Sequence, residues 1–152
     1  MSFMLASPAF DDHGGIPEKF ARDGENVSPP LEWGDAPEGT KSFALIVEDP
    51  DAPNGMFRHW AVYNIPPVQH RLKEGEDVSR FGEATNDFGE RRYDGPQPPR
   101  GHGMHHYHFR LAALDVERLD ASPANSVAQV WEKAKPHVLA ETELVGVYER
   151  GK

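Results

Sequence analysis

Residues 95–109, Gly-Pro-Gln-Pro-Pro-Arg-Gly-His-Gly-Met-His-His-Tyr-His-Phe, open as a stiff proline and glycine loop and continue into a strand. The segment carries four of the chain's eight histidines. Its three prolines fix φ and remove three N–H donors, while Gly101 and Gly103 let the backbone come close to a ligand. A rigid loop that delivers imidazoles to one place points to a small-ligand site. Alternation along the strand, predicted over 105–114, sorts its side chains. His105, Tyr107, Phe109, Leu111 and Ala113 share a face with the apolar content of a core. His106, His108 and Arg110 point the other way and are expected to be solvated. The four histidines are therefore not one cluster, and His105 with Tyr107 forms an inward polar pair at the strand's mouth, below the loop.

The rest of the chain supplies partners for that strand. Residues 41–48, Lys-Ser-Phe-Ala-Leu-Ile-Val-Glu, predict a strand buried on both faces. Residues 57–65 predict a second, stopped by Pro66 and Pro67, and residues 139–148 another near the C-terminus. Residues 13–40 read mostly as loop, broken by Gly14-Gly15, Ser28-Pro29-Pro30 and Ala36-Pro37-Glu38-Gly39. One helix is expected, with Ser122 as N-cap, Pro123 at the first helical position, Val127, Val130, Trp131 and Ala134 at helical spacing, and Pro136 as the stop. A second short helix is expected after Pro67. Fourteen glycines and fourteen prolines punctuate the chain as turns. Together these features predict one domain over residues 1–152, a mainly β, two-sheet antiparallel sandwich with one or two short peripheral helices.

Composition narrows the function. With 16 basic and 25 acidic residues the formal net charge is −9, which opposes nucleic acid or an anionic membrane as a general partner. A local anion pocket stays compatible with that charge, because backbone N–H groups and imidazoles can bind an anion on an acidic protein. No cysteine is present, so disulfides and thiolate metal sites are excluded. The longest aliphatic stretch, Phe43 to Val47, is far too short to span a membrane, and the N-terminal residues lack a secretion-signal pattern, so a cytoplasmic location is expected.

A second constellation is Asp49-Pro50-Asp51-Ala52-Pro53-Asn54-Gly55, with His59 on the next strand. A proline-braced turn directly after a buried strand places two carboxylates at the mouth of the sheet. Taken alone, the turn reads as an Asx-turn in which a carboxylate caps backbone N–H groups. Taken alone, His59 reads as a hydrogen-bonded core histidine.

The two constellations in this order resemble the phosphatidylethanolamine-binding protein family, also called Raf-kinase-inhibitor-like proteins, and in particular its short bacterial branch. The resemblance runs from about Phe10 to Tyr148. It rests on Gly24-Glu25-Asn26-Val27-Ser28-Pro29-Pro30-Leu31-Glu32-Trp33, the turn Asp49 to Pro53, His59-Trp60, Tyr63-Asn64-Ile65-Pro66, Asn86-Asp87-Phe88-Gly89, the loop quoted above, and Leu139 to Tyr148. It implies a two-sheet sandwich with a small pocket for phosphate, phosphorylated ligands or a phosphoethanolamine head group. By position the pocket residues would be Asp49, His59, Pro99, His105 and Tyr107, with Gly95 and Gly101 in the rim loop and Asp51 and Pro53 in the supporting turn. Phe57 stands where many relatives carry tryptophan, so a possible indole donor is lost from the rim. The sequence as read to Lys152 stops just after the last predicted strand, so the C-terminal helix of animal members is not expected.

The expected role is ligand binding without catalysis, cofactor or metal. Tyr107, His59 or His105, and loop N–H groups such as that of Gly101 would donate to an anion. A bare Asp49 would repel the anion, so either Asp49 is protonated on binding or it orients a cationic histidine. His106-Tyr107-His108 offers a His-x-His pair, but no glutamate follows before Glu117, so a cupin-type metal site is not expected. No Gly-x-Ser-x-Gly elbow exists, and nothing supplies a nucleophile. The competing class is a protein-interaction module, a kinase or protease inhibitor that uses the rim at Arg58, Trp60, Arg100 and His102. A homodimer is also compatible with the sequence.

Overall fold

A computed structural model of the chain describes residues 2–150. Its strands are β1 (Met4–Ala6), β2 (Gly14–Gly15), β3 (Leu31–Gly34), β4 (Ser42–Asp49), β5 (Phe57–Ile65), β6 (Arg71–Leu72), β7 (Gly82–Glu83), β8 (His105–Leu114) and β9 (Val138–Tyr148). The helix α1 (Val127–Ala134) precedes the last strand. A large sheet runs in the order β2-β9-β8-β4-β5-β7, and a small one in the order β1-β3-β6. Every strand pair is antiparallel except the two-residue contact of β2 with β9.

Strand β4 is buried at all eight positions because both of its faces are covered. Phe43, Leu45 and Val47 point toward the small sheet and pack with Leu5, Leu31, Trp33 and Leu72. Ala44 and Ile46 point the other way, with Ala61 and Ala112, beneath Val127, Val130 and Ala134 of α1. The alanines on that face leave room for the helix to lie close. Two apolar layers therefore give β4 the unbroken hydrophobic run seen in its sequence.

The mainly β, two-sheet architecture expected from the sequence is what forms. Several local expectations are corrected. The helix begins one turn later than expected, because Ser126 rather than Ser122 is its N-cap. Ser126 Oγ accepts from Gln129 N–H, and the Gln129 side chain accepts from Ser126 N–H, which closes a capping box. Ser122 instead sits in a turn, where its N–H donates to Asn125 Oδ1. No helix follows Pro67: a turn closed by Gln69 N–H on the Pro66 carbonyl leads into β6. The stretch read as loop contains β3, whose Leu31 and Trp33 face the core, and a 3-10 turn at Glu18–Phe20.

The outer face of β8 is also less solvated than alternation predicts. His106 is exposed, but His108 is half-buried and lies 3.1 Å from Glu143. Arg110 lies 2.9 Å from Glu48, with its guanidinium 4.2 Å over the Trp131 ring of α1. The helix thus roofs the middle of β8.

The capping assignment is testable by chemical denaturation. Ser126→Ala is expected to cost about 1 kcal/mol, whereas Ser122→Ala stays within about 0.5 kcal/mol of the parent. The reverse order would contradict the assignment.

Candidate functional site: a polar pocket at one end of the large sheet

Antiparallel pairing brings the end of β4 and the starts of β5 and β8 to one edge. Asp49 pairs with Phe57 across β4 and β5, and Glu48 with His108 across β4 and β8. Alternation then places Asp49 on the same face as Val47, Tyr107 and His105. His59 reaches that face by a different route. Val47 pairs with Trp60 and Glu48 with Arg58, so His59 is the unpaired residue of a β-bulge. Strict alternation from Trp60 would have turned His59 toward the helix layer. The bulge re-aims it into the site, where its ring lies 5.3 Å from Tyr107 and 5.1 Å from Phe57.

Asp49 does two jobs at once. Its Oδ1 accepts from Asp51 N–H at 2.8 Å, which closes the Asx-turn, and its Oδ2 lies 2.6 Å from His105 Nδ1. Both residues are buried, at 3% and 2% exposure. A carboxylate can only accept, so Nδ1 of His105 carries the proton of that bond. The far nitrogen of His105, Nε2, is 2.6 Å from Nδ1 of His102 in the rim loop. Asp49, His105 and His102 thus form a line from the interior to the surface. Asp51 stands outside it and fastens the mouth of β8: its Oδ2 accepts from His106 N–H and faces His106 Nδ1 at 2.8 Å. Burial of Asp51 pushes its pKa up, but the His106 hydrogen bonds outweigh that and hold it below the ordinary value.

His59 is fixed by Asp94. Its Nδ1 lies 2.7 Å from the Asp94 carbonyl oxygen, another group that only accepts, so Nδ1 is the protonated nitrogen. Burial is the main force on this ring and lowers its pKa, against weaker upward pulls from the Asp94 carbonyl and Asp49. The Asp94 carboxylate is itself fully buried. It takes amide N–H groups from Asn26 and Asn86, each at 2.9 Å, and lies 3.1 Å from Arg92. Burial alone would raise its pKa, and these donors together bring it below the usual range. Asn86 also caps the turn that presents Phe88, through Phe88 N–H on Asn86 Oδ1. Arg58 and Asp87 exchange two hydrogen bonds that clip this turn to β5. Arg22 covers the outer side of Phe88 at 4.1 Å.

Between these groups lies a cavity of ≈ 270 Å³. Asp49, His59, His105 and Tyr107 form its polar floor, and Met56, Phe57, Phe88, Pro98 and Pro99 line its walls. No lysine or arginine is among the lining residues. Tyr107 makes no hydrogen bond to another described residue, and burial followed by the charge of Asp49 pushes its pKa up, so it stays an O–H donor. Among the described residues no set of three histidine or acidic side chains converges as a metal site requires.

Of the residues singled out from sequence, Asp49, His59, Pro99, His105, Tyr107, Pro53 and Phe57 line the cavity. Gly95 and Gly101 do not. Gly95 is buried behind the site and donates its N–H to Asn26 Oδ1 at 2.7 Å, while Gly101 is exposed at the loop's tip with φ of 73°. Phe88, Met56, Pro98 and Asp94 were not singled out. The Asn86-Asp87-Phe88-Gly89 run was the available signal for Phe88, whereas Asp94 acts through a backbone carbonyl that no side-chain pattern reveals.

The profile of the family described as phosphatidylethanolamine-binding protein matches residues 6–149. The chain belongs to that family. It is 45% identical over 148 residues to a UPF0098 protein of Aquifex aeolicus, covering 95% of this chain and 86% of the relative. Among solved structures, Escherichia coli YbcL, titled a new member of the mammalian PEBP family, is similar with a TM-score of 0.94 and 32% identity over 99% of both chains. CT736 of Chlamydia trachomatis is similar with a TM-score of 0.89 and 38% identity, covering 98% of each chain. Neither the family description nor these names states a catalytic activity. No helix among the described residues is long and apolar enough to cross a membrane.

The two loop glycines make contrasting predictions. A Cβ on Gly95 would lie 1.9 Å from the Phe20 carbonyl oxygen, which also accepts from Tyr93 O–H. Gly95→Ala is therefore expected to cost roughly 3 kcal/mol, the upper end of overpacking. Gly101 has open space around its Cβ position, so Gly101→Ala carries only the left-handed backbone cost of about 1–2 kcal/mol. Denaturation midpoints in the opposite order would contradict this placement.

Proposed function

We propose that this member of the phosphatidylethanolamine-binding protein family binds a small oxyanion or phosphorylated ligand in the pocket floored by Asp49, His59, His105 and Tyr107, and does so without catalysing a reaction. The observation that carries the proposal is the convergence of these four side chains, from three neighbouring strands, on one cavity. Tyr107 supplies a hydroxyl donor with no competing partner. Asp49 is already committed to Asp51 N–H and His105, which blunts its repulsion of an anion. The apolar walls lower the local dielectric and strengthen each hydrogen bond the floor makes. The chain has no cysteine, and no serine or lysine lines the cavity.

Binding is expected to take up a proton. A fully ionised phosphate would meet a carboxylate and a neutral imidazole, so either the imidazole or the ligand must carry an extra hydrogen. Phosphate affinity should therefore fall as pH rises from about 5.5 to about 8, across the ordinary histidine range. A flat affinity over that range contradicts the proposal. Tyr107→Phe keeps the ring packing and removes the donor. A hydrogen bond to a charged group contributes about 1.5–3 kcal/mol, so isothermal titration should show at least about tenfold weaker phosphate binding. Unchanged binding in that variant would remove the site from the proposal.

A further inference from the structure

The floor of the pocket offers the ligand mostly acceptors. His59 Nδ1–H is spent on the Asp94 carbonyl at 2.7 Å, so the nitrogen left to the cavity, Nε2, is a lone pair in the neutral ring. Asp49 is a carboxylate. His105 is occupied at both nitrogens, by Asp49 and by His102, each at 2.6 Å. Tyr107 O–H is the one floor group free to donate, and no lysine or arginine lines the cavity. A pocket built for a bare oxyanion would show the opposite balance, with cationic or N–H donors turned inward.

We propose that the pocket selects its ligand through a hydrogen on the ligand itself. It takes a phosphate or phosphomonoester as the hydrogen-bearing monoanion, whose P–O–H donates to His59 Nε2 while an unprotonated oxygen accepts from Tyr107. This rests on the anion-binding reading above and deepens it. The ester carbon would lie along Met56, Phe57 and Phe88. Sulfate and phosphodiesters, which hold no hydrogen on the acidic group near neutral pH, leave the His59 lone pair facing an oxygen lone pair and are rejected. A phosphatidylethanolamine head group is a diester and falls among the rejected ligands.

The charged and titratable groups around His59 favour this arrangement. Asp49 and Tyr107 face the ring within the site, Asp94 holds it from behind, and Asp87 lies on the clipped turn beside β5. His105 lies beyond Tyr107, with ring centroids 6.4 Å apart, and shares its bonding between Asp49 and His102. Burial, the dominant effect on the His59 ring, opposes placing the extra proton there.

The test is a ligand series on the wild-type protein near neutral pH, by titration calorimetry in two buffers of different ionisation enthalpy. Inorganic phosphate and phenyl phosphate are expected to bind at least about tenfold more tightly than sulfate and dimethyl phosphate. Phosphate binding is expected to take up protons from solution. Sulfate or dimethyl phosphate binding as tightly as phosphate, with equal proton uptake, would place the proton on the histidine and overturn this inference while leaving the anion pocket standing. No binding of any of the four would overturn both. His59→Gln places an amide that can donate toward the cavity and is expected to bring the phosphate-to-sulfate ratio toward one. A ratio unchanged in a folded variant would overturn the role given to His59.

Discussion

The constraint on which the site depends is the burial of Asp94. A carboxylate at zero exposure must be supplied with donors, and they come from Asn26, far away in sequence, from Asn86 eight residues before it, and from Arg92 close by in the same loop. Satisfying that one group ties the loop before β3, the turn after β7 that carries Phe88 and the start of the proline loop into a single knot. Gly95 follows directly, pressed against the Phe20 carbonyl with its N–H on Asn26. The backbone carbonyl of Asp94 then fixes the His59 ring. Breaking the knot would leave a buried charge with too few partners, which costs far more than its net contribution when satisfied. Scaffold and site are therefore held by the same residue.

The sheet supplies the rest through simple periodicity. Because β5, β4 and β8 are adjacent and antiparallel, the end of one and the starts of the other two meet at one edge. Residues of matching parity then share a face, which is how Asp49, His105 and Tyr107 come together. The Asp49 carboxylate makes two structural contacts at once. It closes an Asx-turn through one oxygen and orients His105 through the other.

That division explains what could be recognised in the residues alone. Apolar runs and their proline stops located β5 and β8 at their observed bounds and found β4 and β9 to within a residue, because all four are long and packed on the core. They missed β1, β3 and β6, which have two to four residues each and owe their pairing to the large sheet beneath them. The helix start was misplaced because Ser122-Pro123 carries the same local signal as a cap, and only the bond to Gln129 decides for Ser126. Inward-facing His105 and Tyr107 followed from alternation. His59 did not, since a bulge reverses parity without leaving a mark in composition. The tautomer of His59 depends on a carbonyl contributed by a residue 35 positions away and was beyond any pattern of side chains.

The proposed ligand selection requires a lone pair at His59 Nε2. It is tested most directly by NMR of the imidazole nitrogens of His59 in the free protein near neutral pH. A neutral ring protonated at Nδ1, with Nε2 bare, is the predicted result. A ring protonated at Nε2, or an imidazolium carrying both protons, would contradict it.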